Sequence, residues 1–220
     1  GEEGGEPTDP QQISSSSLGE EGPDSSRETD RQAVIYELYT TEVSHLRTLW
    51  VLDRVFFQKM RSVLNSEELA CIFPNLPKVH EFHANLCEAM KKRREVPVVQ
   101  EIGDIMLARF EDAAGQEFQE QASQLCCLQS QAQELIKNKK RKDPRFAQLI
   151  QECEASPLCR RLQLKDMLVS EMQRLTKYPL LLDNIIKYTD GEPPLLEGSF
   201  SSASCYETLR LPGQQSLQKG

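Results

Sequence analysis

Apolar residues recur at three- and four-residue steps through residues 31–64, and this spacing constrains the fold more than any other feature of the chain. It predicts one amphipathic helix of about 33 residues that begins at Asp30, whose side chain suits an N-cap. A helix of this length is unusual in a globular protein and predicts an elongated bundle. The apolar arc consists of Ile35, Leu38, Leu46, Leu49, Leu52 and Phe56.

Helical spacing continues to residue 190 and is interrupted mainly by prolines and one glycine. Residues 31–190 show no clean alternation of β-branched residues and no Asn-Gly hairpin signal, so we predict an all-α fold. Pro179 lies inside the last predicted helix and is expected to kink it. The further helices are predicted at residues 66–72, 76–94, 97–110, 116–139, 144–154 and 158–189.

The two ends of the chain differ in composition from the middle. Residues 1–30 hold nine acids and one base, and Gly, Pro, Ser and Glu dominate them. Such a segment buries too little apolar surface to offset its ordering entropy, so we predict a disordered acidic tail. Residues 191–220 are rich in Ser, Gly and Gln without a helical period and predict an irregular tail. The predicted folded domain therefore spans residues 31–190.

The charge of this domain limits its partners. Residues 31–190 hold 22 acids and 23 bases, whereas nucleic-acid-binding domains are usually basic, so we expect no nucleic-acid partner. The chain has no run of 18 apolar residues and no signal-peptide pattern at its start, which predicts at most a peripheral membrane contact. Seven irregularly spaced cysteines, including adjacent Cys126 and Cys127, predict reduced thiols and a cytoplasmic location.

The sequence contains none of the common catalytic or nucleotide-binding motifs that we sought. GxGxxG, GxxxxGK[ST], GxSxG and HExxH are all absent. The three histidines are His45, His80 and His83, and no cysteine or second carboxylate completes a metal set with His80 and His83. We therefore predict ordinary surface or half-buried histidines, no catalytic residue, no metal and no cofactor.

Glu42 breaks the pattern of the first helix. At about 100° per residue, Ile35 lies about 20° from it, and Leu38 and Leu46 lie about 40° away on either side. A carboxylate in the middle of an apolar arc pairs inside the bundle, turns away at its edge, or contacts a partner. The residue pattern leaves these alternatives open.

The last predicted helix carries a polar stripe around Lys177. A polar stripe flanked by exposed leucines is consistent with a protein-binding face, and a plain solvated face is the alternative. The stripe consists of Asp166, Ser170, Gln173, Lys177 and Asn184, with Leu180 and Leu181 beside it.

Three basic clusters stand out. Lys91–Arg94 and Lys137–Lys142 each end a predicted helix, where positive charge complements the helix dipole. The second also suits a nuclear-localisation or anionic-surface patch, and a solvated helix end is the alternative. Arg160 and Arg161 precede the last amphipathic stretch and suit bidentate pairing with an acidic partner surface.

Two blocks of sequence resemble a known family. They are ELYTTEVSHLRTL at residues 37–49 and RRLQLKDMLVSEMQRLTKYPLLLDNIIKYT at residues 160–189. They resemble the Dbl-homology domain of Rho guanine nucleotide exchange factors, and the core MQRLTKYPLLL is the more specific signal. The segments IFPNL, EAMKKRRE, LARF, RKDPRF and CRRLQLKD are similar to the subfamily that carries a regulator-of-G-protein-signalling domain, with its p115, PDZ-containing and leukaemia-associated types. The resemblance covers roughly residues 31–190.

The resemblance implies an elongated six-helix bundle that acts without covalent chemistry. A domain of this kind binds a Rho-family GTPase, here with RhoA favoured, remodels both switch regions and promotes GDP release. The subfamily further implies a link to heterotrimeric G-protein pathways through a longer parent protein. It also implies a cytoplasmic protein that is recruited to the plasma membrane.

Position by position, the resemblance implies a GTPase-binding surface. Glu42 matches the acid of the family's first helix that contacts switch 1 of the GTPase. Lys177 matches the lysine before Tyr-Pro on the GTPase-facing surface, and Gln173 and Arg174 lie beside it. The pair Arg160–Arg161 matches a basic pair that favours RhoA.

The end of the last helix departs from the family pattern. The family's final helix continues well past the KYPLLL block, whereas Pro193 and Pro194 soon follow it here. We therefore expect an incomplete final helix, as in a fragment or a truncated splice product, with weakened or absent exchange. Three hypotheses follow: an exchange factor impaired by truncation, a non-catalytic module that binds the GTPase, and a helical scaffold with an anionic-surface or nuclear patch at residues 137–142.

Overall fold

A computed structural model describes residues 23–188, and every regular element within this range is helical. This confirms the predicted all-α fold. The predicted tails lie mostly outside the described residues, at 1–22 and 191–220. The α-helices are α1 (Pro23–Val51), α2 (Gln58–Met60), α3 (Ser66–Ile72), α4 (Leu76–Arg93), α5 (Gly103–Phe110), α6 (Asp112–Lys142), α7 (Pro144–Glu154) and α8 (Leu164–Lys187). A π-helix (Leu52–Phe57) joins α1 to α2, and a 3₁₀-helix (Pro157–Cys159) precedes α8.

The first helix begins earlier than predicted, at Pro23 rather than at Asp30. Its early turns are polar, and hydrogen bonds to a distant part of the chain hold them in place. Arg27 Nη2, inside these turns, donates to the carbonyl oxygen of Lys187 at 3.1 Å, and just after them Arg31 and Gln32 donate to the carbonyl oxygen of Val99 at 3.0 and 2.6 Å. Tertiary hydrogen bonds therefore override a composition that by itself is typical of disorder.

Two clusters of buried apolar side chains fill the interior of the bundle. One surrounds Phe56 and Phe146 and joins the second half of α1 to α7 and the start of α8. The other surrounds Leu38 and Tyr178 and joins the first half of α1 to α4, α5 and the rest of α8. Because α1 and α8 contribute to both clusters, apolar packing fixes these two helices side by side. Of the predicted apolar arc on α1, only Leu46 is half-buried, and the other five residues are buried.

Two boundaries in the middle of the chain also differ from the prediction. Residues 97–102 are not helical, and α5 begins only at Gly103. Gly115 does not separate two helices but lies inside α6. A Cβ atom at Gly115 would lie 2.4 Å from the Phe110 carbonyl oxygen, so glycine permits a close backbone approach here rather than ending a helix.

The last helix begins at Leu164, six residues later than predicted, and continues past the buried Pro179 to Lys187. It carries its apolar face into the core and leaves Leu180 exposed, as the stripe around Lys177 predicts. Leu181, the second leucine beside that stripe, is buried instead. Within residues 23–188, no helix has both the length and the apolar character required to span a bilayer.

Candidate functional site

A groove with a volume of about 360 Å³ runs between α1 and α8. Its lining residues recur at helical spacing, so each wall is one face of a helix. The α8 wall is part of the polar stripe that the sequence predicts. The groove is lined by Glu37, Thr41, Ser44, His45 and Thr48 from α1 and by Ser170, Gln173, Arg174, Lys177 and Leu181 from α8.

The groove presents exposed charges of both signs. Glu37 on α1 and Lys177 on α8 are exposed, and neither forms an ion pair with another described residue. Both charges are therefore available to a partner that enters the groove. Sequence reasoning predicted Lys177 but missed Glu37, because an exposed acid on a helix gives no signal that separates it from other surface acids.

Glu42 lies inside the bundle, with 0% of its surface exposed. Tyr178 donates from its hydroxyl at 2.8 Å from each carboxylate oxygen, and Arg174 Nε donates to Oε2 at 2.7 Å. The Nδ1 atom of His83 lies 2.5 Å from Oε1. Of the alternatives that the sequence leaves open for this acid, the structure shows internal pairing.

A second buried carboxylate, Glu171, extends this arrangement into a network. His83 Nε2 donates to Glu171 Oε1 at 2.8 Å, and His45 Nε2 contacts the other oxygen. His45 also lines the groove, so the network reaches from the core to the groove floor. Arg174 makes a second connection, because its Nη1 donates to Thr41 Oγ1 at 2.8 Å and Thr41 lines the same groove. We call Glu42, His45, His83, Glu171, Arg174 and Tyr178 the buried ion network.

The pKa values of this network are set by burial and by mutual pairing. Burial raises the pKa of the carboxyls of Glu42 and Glu171, but the pKa of each lies below its usual value because other groups together outweigh burial. These groups are His83 at both carboxyls, with Arg174 and Tyr178 at Glu42 and with His45 at Glu171. Burial alone lowers the pKa of His83, but Glu171 and Glu42 raise it to about 9. At neutral pH two carboxylates therefore face a charged imidazole and the guanidinium of Arg174, and the buried charges compensate one another.

Three members of the network carry atoms of the kind that bind metals. The ligand atoms of His45, His83 and Glu171 lie within 4.8 Å of one another. The two imidazoles already contact the Glu171 oxygens at hydrogen-bond distance, and the positive Arg174 belongs to the same network. This geometry fits a hydrogen-bonded ion network rather than a cation site.

The contact residues implied by the sequence fall into two groups. Gln173 and Lys177 are exposed in the groove, as expected for contact residues. Glu42 has no exposed surface and Arg174 only 7%, and the two bind each other. In this bundle the two side chains pair with each other, and the GTPase contacts that the resemblance implies for them stay predictions.

Arg160 and Arg161 lie outside the groove, in the turn before α8, and both are exposed. Their φ angles are 48° and 66°, a left-handed conformation that residues other than glycine rarely adopt. Leu158 and Leu162 on either side are 41% and 45% exposed. The turn therefore presents two guanidinium groups and two apolar side chains at the surface.

Sequence reasoning missed most of the buried ion network, although a signal for it was present. At about 100° per residue, Leu164 and Leu182 lie about 20° from Glu171, so this acid also sits in the middle of an apolar face. Met90 lies about 20° from His83 on α4 by the same arithmetic. The angular arithmetic that identified Glu42 as a charged residue among apolar ones therefore also identifies Glu171 and His83. His83 is fully buried, so its interpretation as an ordinary surface or half-buried histidine is wrong.

The described residues form an all-helical bundle with a polar groove between α1 and α8. The RhoGEF domain family matches residues 34–203. This match covers most of the sequence, so the chain belongs to the RhoGEF, or Dbl-homology, domain family. The match also extends past the domain boundary that the sequence predicts at residue 190.

Relatives among characterised proteins agree with the predicted subfamily. The chain is 58% identical over 168 residues to human Rho guanine nucleotide exchange factor 11, a match that covers 75% of this chain and 11% of that protein. It is 48% identical over 183 residues to human Rho guanine nucleotide exchange factor 1, covering 81% of this chain and 20% of that protein. These relatives confirm the resemblance to the subfamily with a regulator-of-G-protein-signalling domain. The chain spans a fifth of their length or less.

Solved structures agree with the fold. The PDZ-RhoGEF DH/PH domains in complex with GTP-γ-S-activated RhoA match with a TM-score of 0.80 and 52% identity, over 86% of this chain and 53% of that chain. The linker-DH/PH domains of p115-RhoGEF match with a TM-score of 0.80 and 46% identity, over 86% of this chain and 57% of that chain. The described bundle is therefore of the Dbl type, as the sequence predicts.

Proposed function

We propose that this chain is a guanine nucleotide exchange factor for a Rho-family GTPase, with RhoA favoured, and that it binds the GTPase along the α1–α8 groove. One observation carries the proposal: the exposed Glu37 and Lys177 lie on helices that the buried ion network joins directly beneath them. Membership of the RhoGEF family and the complexes of PDZ-RhoGEF with RhoA support the reaction and the partner.

Exchange of this kind requires binding and no covalent step. A domain that binds the nucleotide-free GTPase more tightly than the GDP-bound form favours the release of GDP by the difference between the two binding free energies. Each difference of about 1.4 kcal/mol corresponds to a factor of ten in the equilibrium constant. Such a difference in binding free energy requires a groove of fixed shape. The buried ion network suits this role, because its pair Arg174–Glu42 joins the two helices that form the groove.

The groove residues divide into contact and positioning roles. Gln173 and Lys177 contact the GTPase in this proposal, together with Glu37. Glu42 and Arg174 are positioning residues, because their guanidinium–carboxylate pair joins α1 to α8 and Arg174 also binds the groove wall at Thr41 Oγ1.

Arg160 and Arg161 serve in this proposal as a separate contact with an acidic surface of the GTPase. Both are exposed, and neither forms an ion pair within the described part of the chain. Paired guanidinium groups bind carboxylates with defined geometry, so the position of acids on the GTPase surface determines which GTPase fits. This pair therefore supports a preference for RhoA.

The cellular setting follows from the thiols and the subfamily. We propose a cytoplasmic protein that is recruited to the plasma membrane, and a link to heterotrimeric G-protein pathways in the longer protein. Free thiols support a reducing compartment. The cysteines described as free are Cys71, Cys87, Cys127, Cys153 and Cys159.

The experiment that tests the function is release of a fluorescent GDP analogue from RhoA at excess GTP, with and without the full chain. We expect faster release with the chain present and a smaller effect on other Rho-family GTPases. Capture of nucleotide-free RhoA without faster release would instead identify the non-catalytic binding module. Neither release nor capture, from a sample shown to be helical, would refute the proposal.

A further inference from the structure

A second cleft, with a volume of about 560 Å³, lies between the C-terminal end of α6 and the N-terminal end of α8. Four basic side chains from two helices line it, namely Lys137, Lys140, Arg141 and Lys165. We propose that this cleft binds a phosphate-rich anion that carries two or more phosphate groups, either free or as the headgroup of a lipid.

The lysines of the cleft lack carboxylate partners among the described residues, whereas the neighbouring Lys139 has one. Lys137, Lys140 and Lys165 form no ion pair with any described residue. Lys139, in the same basic run, pairs with Glu68 on α3. The cleft therefore keeps its positive charge available, while the adjacent lysine is used to join two helices.

Helix-end electrostatics account for only part of this charge. Basic residues in the last turn of α6 complement the negative end of its dipole, which is an ordinary reason for Lys140 and Arg141 to be there. Lys165 lies in the first turn of α8, where the dipole disfavours a positive charge. A lysine that opposes its own helix end and lines the same cleft is explained by a ligand rather than by the helix.

The acids of the cleft do not neutralise it. Two carboxylates line it, Glu134 and Glu154, against four basic side chains. Glu154 Oε1 accepts the backbone N–H of Leu164 at 3.0 Å, so this carboxylate caps the start of α8. The cleft keeps a formal excess of two positive charges, and its four cationic side chains are enough to pair with two phosphomonoesters, each of which carries about −1.5 to −2 charges at neutral pH.

The size and lining of the cleft narrow the class of anion. Small-molecule sites usually have volumes of about 300–1,000 Å³, and the volume of this cleft, about 560 Å³, lies within that range. None of the described lining residues is aromatic, so the cleft lacks the stacking surfaces on which single-stranded RNA is bound. A phosphorylated cyclitol such as an inositol polyphosphate fits both properties.

The cleft is separate from the α1–α8 groove. Lys165 and Lys177 lie twelve residues apart on α8, which places them about 18 Å apart along the axis and about 120° apart around it. An anion in the cleft therefore leaves the groove free. The inference does not depend on the proposed exchange activity.

The test measures binding of the full chain to soluble inositol trisphosphate by calorimetry, and to vesicles by sedimentation. The vesicles contain phosphatidylcholine with either phosphatidylinositol bisphosphate or phosphatidylserine at matched total charge. The test variant carries Lys140→Gln and Lys165→Gln. The control variant carries Lys91→Gln and Lys92→Gln, which remove the same charge from two exposed residues at the end of α4.

We expect the test variant to bind about 30-fold more weakly, since each lysine near an anionic surface contributes about fivefold. We expect the control variant to bind as the unsubstituted chain does. Binding of inositol trisphosphate alone would assign the site to a free ligand, and stronger binding to the bisphosphate vesicles would assign it to a lipid headgroup. Equal losses in the two variants, equal binding to both vesicles without binding of inositol trisphosphate, or no binding at all would overturn the proposal.

Discussion

The groove and the buried ion network share helices α1 and α8, with His83 of α4 added in the network, yet the structure gives their charged residues opposite environments. Glu37 and Glu42 are five residues apart on α1, and one is exposed while the other has 0% of its surface exposed. On α8, the exposed Lys177 follows the buried Arg174 by less than one turn. An exposed charge stays hydrated and can still pair with a partner protein. A buried charge has lost its hydration, so it destabilises the fold unless a charge of opposite sign pairs with it.

This difference separates two ways in which a substitution lowers activity. A change in the groove removes a contact and leaves the bundle intact. A change in the network leaves an unpaired buried charge, which destabilises the bundle and moves α1 relative to α8. Measuring stability and exchange together distinguishes the two regions.

The largest effect is expected from Glu42→Gln. The neutral amide leaves the charges of His83 and Arg174 without their carboxylate, and breaking a buried pair typically costs about 3–5 kcal/mol. Urea unfolding followed by circular dichroism measures the free energy of unfolding. The matched control Glu37→Gln removes an exposed charge and is expected to change that free energy by less than about 0.5 kcal/mol. Equal losses in the two variants would contradict the contrast between the regions.

The next effect concerns Lys177→Ala, which leaves the network untouched. We expect its loss to lower the rate of GDP release about 30-fold, because a central contact residue typically contributes about 2 kcal/mol of binding free energy. The free energy of unfolding is expected to stay constant. Lys165→Ala is the control, because it removes an exposed lysine from the same helix outside the groove. A Lys177→Ala protein that retains full exchange activity would exclude this residue from the contact surface.

These two substitutions also show what the sequence could and could not reveal. The polar stripe around Lys177 follows from helical periodicity alone, and so does the burial of the apolar arc on α1. The partners of Glu42 depend on the juxtaposition of α1, α4 and α8, which periodicity within one helix does not contain. Periodicity therefore marks Glu42 as unusual without telling whether its partner is internal or external.

Element boundaries show the same limit. Helix α7 begins at Pro144 and ends at Glu154 as predicted, because proline at a first helical position and the preceding aspartate are local signals. The start of α1 was missed because the hydrogen bond from Arg27 to the carbonyl oxygen of Lys187 joins segments that are far apart in sequence. Local chemistry predicted the first boundary, and tertiary contacts decided the second.

A third prediction concerns pH and tests the network without breaking it. The folded state raises the pKa of His83 from 6.5 to about 9, so the stabilisation that this histidine contributes is fully present below about pH 6.5. It is lost as the pH rises through about 9, so the free energy of unfolding falls between these values. The carboxylates act in the opposite direction at low pH, because the lowered pKa of Glu171 gives stabilisation that is lost as the pH falls below about 4.5.

The measurement for this third prediction is urea unfolding at a series of pH values from 6 to 10. His83→Gln removes the titrating group and is expected to flatten the decline on the alkaline side. Should this variant not fold, an NMR titration of the imidazole in the unsubstituted chain gives the pKa directly. An imidazole that loses its proton below pH 7 would contradict the charge state assigned to the network.

The smallest effect is expected from the pair in the turn before α8. Arg160→Ala with Arg161→Ala removes two exposed charges, and exposed ion pairs contribute about 0.2–1 kcal/mol each, so exchange on RhoA falls by about twofold and by about thirtyfold at most. Because rim charges act mainly on association, the loss shrinks as the salt concentration rises. Lys91→Ala with Lys92→Ala is the control for a general loss of positive charge. An equal loss on every Rho-family GTPase would show that the pair contributes affinity but no selectivity, and the preference for RhoA would then have to arise in the groove.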